Sequence, residues 1–197
     1  MVDTKLLQGI LMDVEPLRFK PMTLESNLLN HKQFSKAHLL WLLLYHVQDP
    51  MNFGAIIRSA YFFGVDRILV TNKSSCPLSP VVSKSSAGAM EMLSIHSISD
   101  VISLLKVAAD KGWDILGTVS PNKFEHFSVI SASDHKVIRP TMLIVGNEGH
   151  GLTKEVCSCC TKLLTINPKR SLSPGFDSLN VSVATGILLN TLYNNKI

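Results

Sequence analysis

The sequence predicts an α/β protein: a mainly parallel sheet with helices on both of its faces. Three observations carry this. Leu39-Leu40-Trp41-Leu42-Leu43-Leu44-Tyr45 is a continuous apolar run, as expected of a strand covered on both faces. Strand-like runs then alternate with helix-like ones to the end of the chain, an order that implies parallel pairing. The chain has 197 residues, 46% hydrophobic and 17% charged, enough for one domain with a complete core.

The residues before His38 stand apart. Gln8-Gly9-Ile10-Leu11-Met12 has the composition of a short strand; Glu15-Pro16-Leu17 and Lys20-Pro21 break it, and 24–35 is polar and irregular. This is the pattern of another element's tail followed by a linker. After the run at 39–45, Asp49-Pro50-Met51-Asn52 is turn chemistry. A helix is expected over 53–63 with Gly64 as its stop. Strands are expected at 67–71 and 90–96. A helix over 99–111 opens on Ser99 or Asp100 and closes at Gly112. Further strands are expected at 113–119, 141–145 and 163–166, with a short helix near 152–157. Val181, Ala184, Leu188 and Leu192 recur at helical steps and define a last helix, with Ser178 or Asn180 as its N-cap.

Composition limits the function. A net charge of +4 permits an anionic partner such as RNA without demanding one. No apolar run reaches the ~20 residues that a bilayer-crossing helix needs, so no membrane partner is expected. The N-terminus has neither the apolar core of a signal peptide nor the Arg-rich character of a transit peptide, so an organelle address would lie on a longer precursor. Cys157, Cys159 and Cys160 crowd together without paired CxxC spacing or a suitable His. No zinc or other metal site is expected, and the thiols fit a reducing compartment.

In a parallel sheet the ligand site lies beyond the C-terminal ends of the strands, which directs attention to the loops after Val47, Val119, Val145 and Ile166. Three polar stretches occur there. Asn52-Phe53-Gly54-Ala55-Ile56-Ile57-Arg58-Ser59-Ala60 places Asn52 at a helix start, where a cap is the plain explanation. It places Arg58 in an otherwise apolar helix, either as ordinary surface charge or as a cation suited to phosphate. Val145-Gly146-Asn147-Glu148-Gly149-His150-Gly151-Leu152 is dense in glycine, which lets the backbone approach a ligand. Glu148 would repel a phosphate, and there is neither a P-loop ending nor GxGxxG, so a nucleotide-phosphate site is disfavoured. Ser178-Leu179-Asn180-Val181-Ser182-Val183-Ala184 follows Lys169 and Arg170, which add positive charge where RNA could lie. A capped core helix accounts for this last stretch taken alone.

Together, 52–60, 145–152 and 178–184 resemble the three motifs of the SpoU (TrmH) branch of the SPOUT methyltransferases, in order, spacing and context. The likeness runs from about Leu39 to the C-terminus and is nearest to mitochondrial and bacterial enzymes acting on large-subunit rRNA. It implies an S-adenosylmethionine-dependent guanosine 2′-O-methyltransferase with a C-terminal trefoil knot, a homodimer, and residence in the mitochondrial matrix. It implies cofactor contacts at Gly146, Asn147, Gly149, Ile166 and Leu179. The reacting groups would be Arg58, Asn52, Glu148, Ser178 and Asn180. The cationic sulfonium would remove the difficulty with Glu148. A guanidinium scarcely deprotonates in proteins, so Arg58 is better read as gripping a phosphate and stabilising charge on O2′ than as a base.

Two departures from the family pattern stand out. The loop over 167–177 is longer than usual. Of the N-terminal RNA-binding domain that relatives often carry, only a remnant and linker at 1–35 are expected, with 36–197 as the catalytic domain. Two other functions stay open: a catalytically idle RNA-binding or ribosome-assembly module, and a methyltransferase acting on a base.

Overall fold

The computed structural model describes residues 15–22, 38–121, 128–173, 175 and 178–196. Eight strands form one sheet: β1 (Lys20–Pro21), β2 (Leu40–Leu44), β3 (Arg67–Thr71), β4 (Ile95–Ile98), β5 (Asp114–Thr118), β6 (Val129–Ser131), β7 (Thr141–Val145) and β8 (Lys162–Thr165). Their order is β1-β4-β3-β2-β7-β5-β8-β6, and every described pairing is parallel. The helices are α1 (Pro50–Phe62), α2 (Pro80–Ser85), α3 (Ala89–Met92), α4 (Val101–Asp110), α5 (Lys154–Ser158) and α6 (Val181–Asn194).

The continuous apolar run becomes β2, and its two-residue period explains why no position is polar. Leu40, Leu42 and Leu44 face one layer with Phe53, Ile56 and Ile57 of α1 and Leu188, Leu189 and Leu192 of α6. Leu39, Trp41 and Leu43 face the other, with Leu104 and Leu105 of α4 and Val156 of α5. The Trp41 and Trp113 rings pack there tilted by 58°, with centroids 4.6 Å apart. Burying a side chain such as Phe53 contributes about 1.5–3 kcal/mol, so each layer anchors its helices strongly.

Several boundaries differ from expectation. Helix α1 begins at Pro50, because Asp49 is its N-cap and Pro50 takes the first turn, where a missing N–H costs nothing. Asp-Pro serves turns and helix starts alike, so the sequence does not separate them. Asn52 therefore lies inside α1, and its backbone N–H donates to Asp49 Oδ1 at 2.7 Å. The helix stops as expected at Gly64, whose φ of +68° a glycine adopts without strain. The strand expected over 90–96 splits: Ala89–Met92 is a helical turn and the strand is Ile95–Ile98. Helix α2 and strand β6 carry no strong period and are not legible from sequence. Lys20-Pro21 adds a short parallel edge strand to β4, with Met22 N–H donating to Ser97 O at 3.0 Å. Pro is tolerated on such an edge. The strand expected at 8–12 lies outside the described residues.

Candidate active site

The loops after β5, β7 and β8 and the start of α6 converge on one pocket of about 350 Å³, a size at the lower end of small-molecule sites. Its floor is apolar, from Leu164, Ile166, Val181 and Leu188, and its rim carries Ser120, Asn147, Glu148, Asn167 and Ser178. All five expected cofactor residues line it: Gly146, Asn147, Gly149, Ile166 and Leu179. Of the expected reacting groups, Glu148 and Ser178 line it, whereas Asn52, Arg58 and Asn180 do not. The loop at Thr118 to Pro121 and Leu172 complete the wall. Position after β5 flagged that loop, but nothing in the residues themselves singled them out.

The loop after β7 is curled tightly by its own groups. Asn147 Oδ1 accepts from the backbone N–H of Gly149 (3.0 Å) and His150 (3.1 Å), and Gly151 N–H donates to Asn147 O at 2.9 Å. A Cβ on Gly146 would fall against the Gly151 carbonyl carbon and 2.7 Å from its oxygen. Glycine at 146 is therefore required by close backbone approach.

Glu148 turns out to bind backbone. Its Oε1 accepts from the N–H groups of Gln48 (3.3 Å) and Asp49 (3.1 Å), and its Oε2 accepts from Asn147 Nδ2 (3.3 Å). A carboxylate from the β7 loop thus fastens the β2 loop just ahead of α1, where the positive end of the helix dipole favours it. Asn147 Nδ2 also donates to His46 O at 2.9 Å. The two loops are joined twice.

The third stretch meets the first directly. Asn180 is the N-cap of α6: its Oδ1 accepts from Ser182 N–H (2.9 Å), Ser182 Oγ–H (2.7 Å) and Val183 N–H (3.3 Å). Its Nδ2 donates to Asn52 Oδ1 at 2.9 Å. Arg58 lies exposed on α1, outside the pocket lining. Behind β5, burial pushes the Cys160 thiol up to about 12, with Cys157 and Cys159 adding to the effect, so it stays protonated and inert.

The family model described as the SpoU rRNA Methylase family matches residues 39–190. Over 194 residues the chain is 44% identical to "rRNA methyltransferase 1, mitochondrial" of Homo sapiens, covering 96% of this chain and 54% of that protein. It is 30% identical over 182 residues to "23S rRNA (guanosine-2'-O-)-methyltransferase RlmB" of Pseudomonas syringae pv. tomato, covering 92% of this chain and 68% of that one. The chain thus spans about half the length of the human relative. Among solved structures, an AdoMet-bound rRNA methyltransferase from Sinorhizobium meliloti superposes with a TM-score of 0.70 at 23% identity, covering 88% of this chain and 60% of that chain. The SpoU methyltransferase AviRb from Streptomyces viridochromogenes in complex with AdoMet gives 0.66 at 24%, covering 81% and 58%. These two likenesses concern the fold.

Proposed function

Because this chain belongs to the SpoU rRNA methylase family, we propose that it carries a methyl group from S-adenosylmethionine to the ribose 2′-hydroxyl of a guanosine in large-subunit rRNA. The observation that carries this reading is the convergence of three strand-end loops and α6 on a single pocket, beside the Asn180–Asn52 contact. The names of the human and Pseudomonas relatives support the rRNA substrate, the guanosine and a mitochondrial setting, within which the matrix is our reading.

The lining fits the cofactor. Apolar Leu164, Ile166 and Leu188 suit an adenine ring, and the curled backbone at Gly146 to Gly149 offers polar groups to a ribose and an amino acid. Gly146, Asn147, Gly149, Ile166 and Leu179 are the residues that would hold it. When bound, S-adenosylmethionine supplies an electrophilic methyl on a cationic sulfonium. Glu148 adds a negative charge to that side of the pocket while its oxygens brace the β2 loop.

Methyl transfer needs O2′ in line with the methyl and its developing charge stabilised. Arg58 would grip a phosphate next to the target ribose and stabilise O2′ as its proton passes to solvent water; a guanidinium holds phosphate in two-point fashion. Asn52 and Asn180 would fix the ribose edge, and Ser178 would orient the hydroxyl. The C-terminal segment is proposed to thread through a loop as a trefoil knot, making the cofactor pocket. We further take 36–197 as the catalytic domain and 1–35 as the end of an RNA-binding domain and linker.

A homodimer completes the reading. Leu179, Val183 and Ile187 recur at four-residue steps and are 43%, 51% and 41% exposed, an apolar stripe beside the pocket. The experiment that tests the function is incubation of the chain with S-adenosylmethionine and a large-subunit rRNA fragment, followed by alkaline hydrolysis. A 2′-O-methyl group blocks cleavage at one guanosine. Hydrolysis identical to that of untreated RNA, with folded protein, would overturn the proposal.

A further inference from the structure

A second crevice, of about 380 Å³, opens beyond the C-terminal ends of β2, β3 and β4. Its walls are built. His46 N–H donates to Thr71 Oγ1 at 3.1 Å, and Thr71 Oγ1 and Ser75 Oγ lie 2.9 Å apart. The loop after β3 is tied at both ends, by Asn72 N–H to Ile98 O (2.9 Å) and Cys76 N–H to Val47 O (3.0 Å). Such a loop holds its shape without a ligand to order it.

The crevice presents two rings. Just beyond the end of β2, the Tyr45 and His46 rings lie 4.2 Å apart at 35°. The cause is His46, whose φ of +58° is uncommon outside glycine and costs about 1–3 kcal/mol. Asn147, which lines the first pocket, holds the His46 carbonyl at 2.9 Å. A strained residue thus sets two rings side by side in a polar crevice, next to the loop of the candidate active site.

The charges around the rings select the ligand. Exposed Lys73 lines the crevice together with Glu155 and Asp100, whose Oδ1 caps α4 by accepting from Ser103 N–H at 3.0 Å. Two carboxylates disfavour a bare phosphate, whereas a nucleotide satisfies the whole lining. Its base would stack on the ring pair, the N–H groups of its edge would face the carboxylates, and its phosphate would meet Lys73. We propose that this crevice holds one nucleotide of single-stranded RNA flanking the methylation target. The proposal rests on the reading of the chain as an RNA methyltransferase. Both sites open beyond the C-terminal ends of one sheet, and β2 and β7, whose loops each line one of them, are paired neighbours in it.

The test is binding of a short, labelled single-stranded RNA to wild type, Tyr45→Leu and Lys73→Gln between about 50 and 200 mM salt, with calorimetry of S-adenosylmethionine as control. Tyr45→Leu is expected to weaken RNA binding about tenfold at every salt concentration. Lys73→Gln, on an exposed loop, is expected to reduce the log–log salt slope by about 0.7. Both retain wild-type cofactor affinity. Wild-type RNA affinity and slope in both variants, or no RNA binding by wild type, overturns the crevice. Methyl transfer alongside that result leaves the proposed function standing. The expected RNA effects without methyl transfer would sink the function and keep the crevice.

Discussion

The side-chain amides of Asn180 and Asn52 meet at 2.9 Å, although 128 positions separate them in sequence. The contact joins the first turn of α1 to the N-cap of α6 and places two of the expected reacting groups side by side. Asn180 does two jobs, capping through Oδ1 and bridging through Nδ2. Serine can keep the first and is too short for the second. Asn180→Ser is expected to stay within about 0.5 kcal/mol of wild-type stability, whereas Asn180→Ala loses about 1 kcal/mol. Denaturant melts and initial rates check this: both variants should lose turnover, and only the alanine should lose stability.

Glu148 is expected to act through the loop it braces. Glu148→Gln keeps one carbonyl acceptor for Gln48 and Asp49 but loses the charge that strengthens those bonds. Turnover is expected to fall about tenfold, for roughly 1–1.5 kcal/mol of lost positioning, with little change in melting temperature. Glu148→Ala leaves both N–H groups without this acceptor and should lower both, as steady-state kinetics and thermal melts would report.

Gly146→Ala should be among the most damaging single changes in the pocket. The new Cβ meets backbone of Gly151 and Leu152, with oxygen and nitrogen at 2.7 Å, and backbone cannot swing aside as a side chain can. The β7 loop must open, and cofactor affinity measured by calorimetry is expected to drop more than about tenfold, in line with overpacking costs of 1–3 kcal/mol.

Arg58→Lys keeps a positive charge and loses the planar fork. If the guanidinium grips phosphate and stabilises O2′, turnover falls by about a hundredfold, typical of removing one charge-stabilising donor, while cofactor binding is unchanged. Near-normal turnover by the lysine variant, in a methyl-transfer assay at saturating RNA, contradicts that role.

Acid should destabilise the fold through two buried histidines. Burial holds His135 below the usual imidazole range, reinforced by Lys162 and Arg139 and opposed by Asp114; burial with Arg67 and Lys20 does the same to His96. Both are therefore neutral in the folded state at pH values where the unfolded chain already takes a proton. Stability is constant above the unfolded pKa of about 6.5 and declines below it. Melting temperatures at pH 7.5 and 5.5 should differ, and His135→Gln should narrow the difference.

Much of the fold was legible because its signals are local. The run at 39–45 is apolar throughout because β2 serves two layers, and Gly64 and Gly112 stop helices where positive φ is needed. The start of α1 was not legible, since Asp49-Pro50 suits a turn and a helix cap equally. Nor was the break between Met92 and Ile95, where the apolar run gives no period to choose from. At the site, the stretches at 145–152 and 178–184 supply pocket-lining residues, Gly146, Gly149 and Gly151 among them. What stayed hidden were contacts across long sequence separations: Glu148 on Gln48 and Asp49, and Asn180 on Asn52. No local pattern encodes these, because they exist only once the sheet brings the loops together.

The most direct test of the central claim is calorimetric titration of S-adenosylmethionine into wild-type protein and Gly146→Ala, with circular dichroism to establish that both are folded. The pocket between the β5, β7 and β8 loops predicts one saturable micromolar site that weakens in the variant. A folded wild-type chain that takes up no cofactor, or a variant that binds it unchanged, would contradict it.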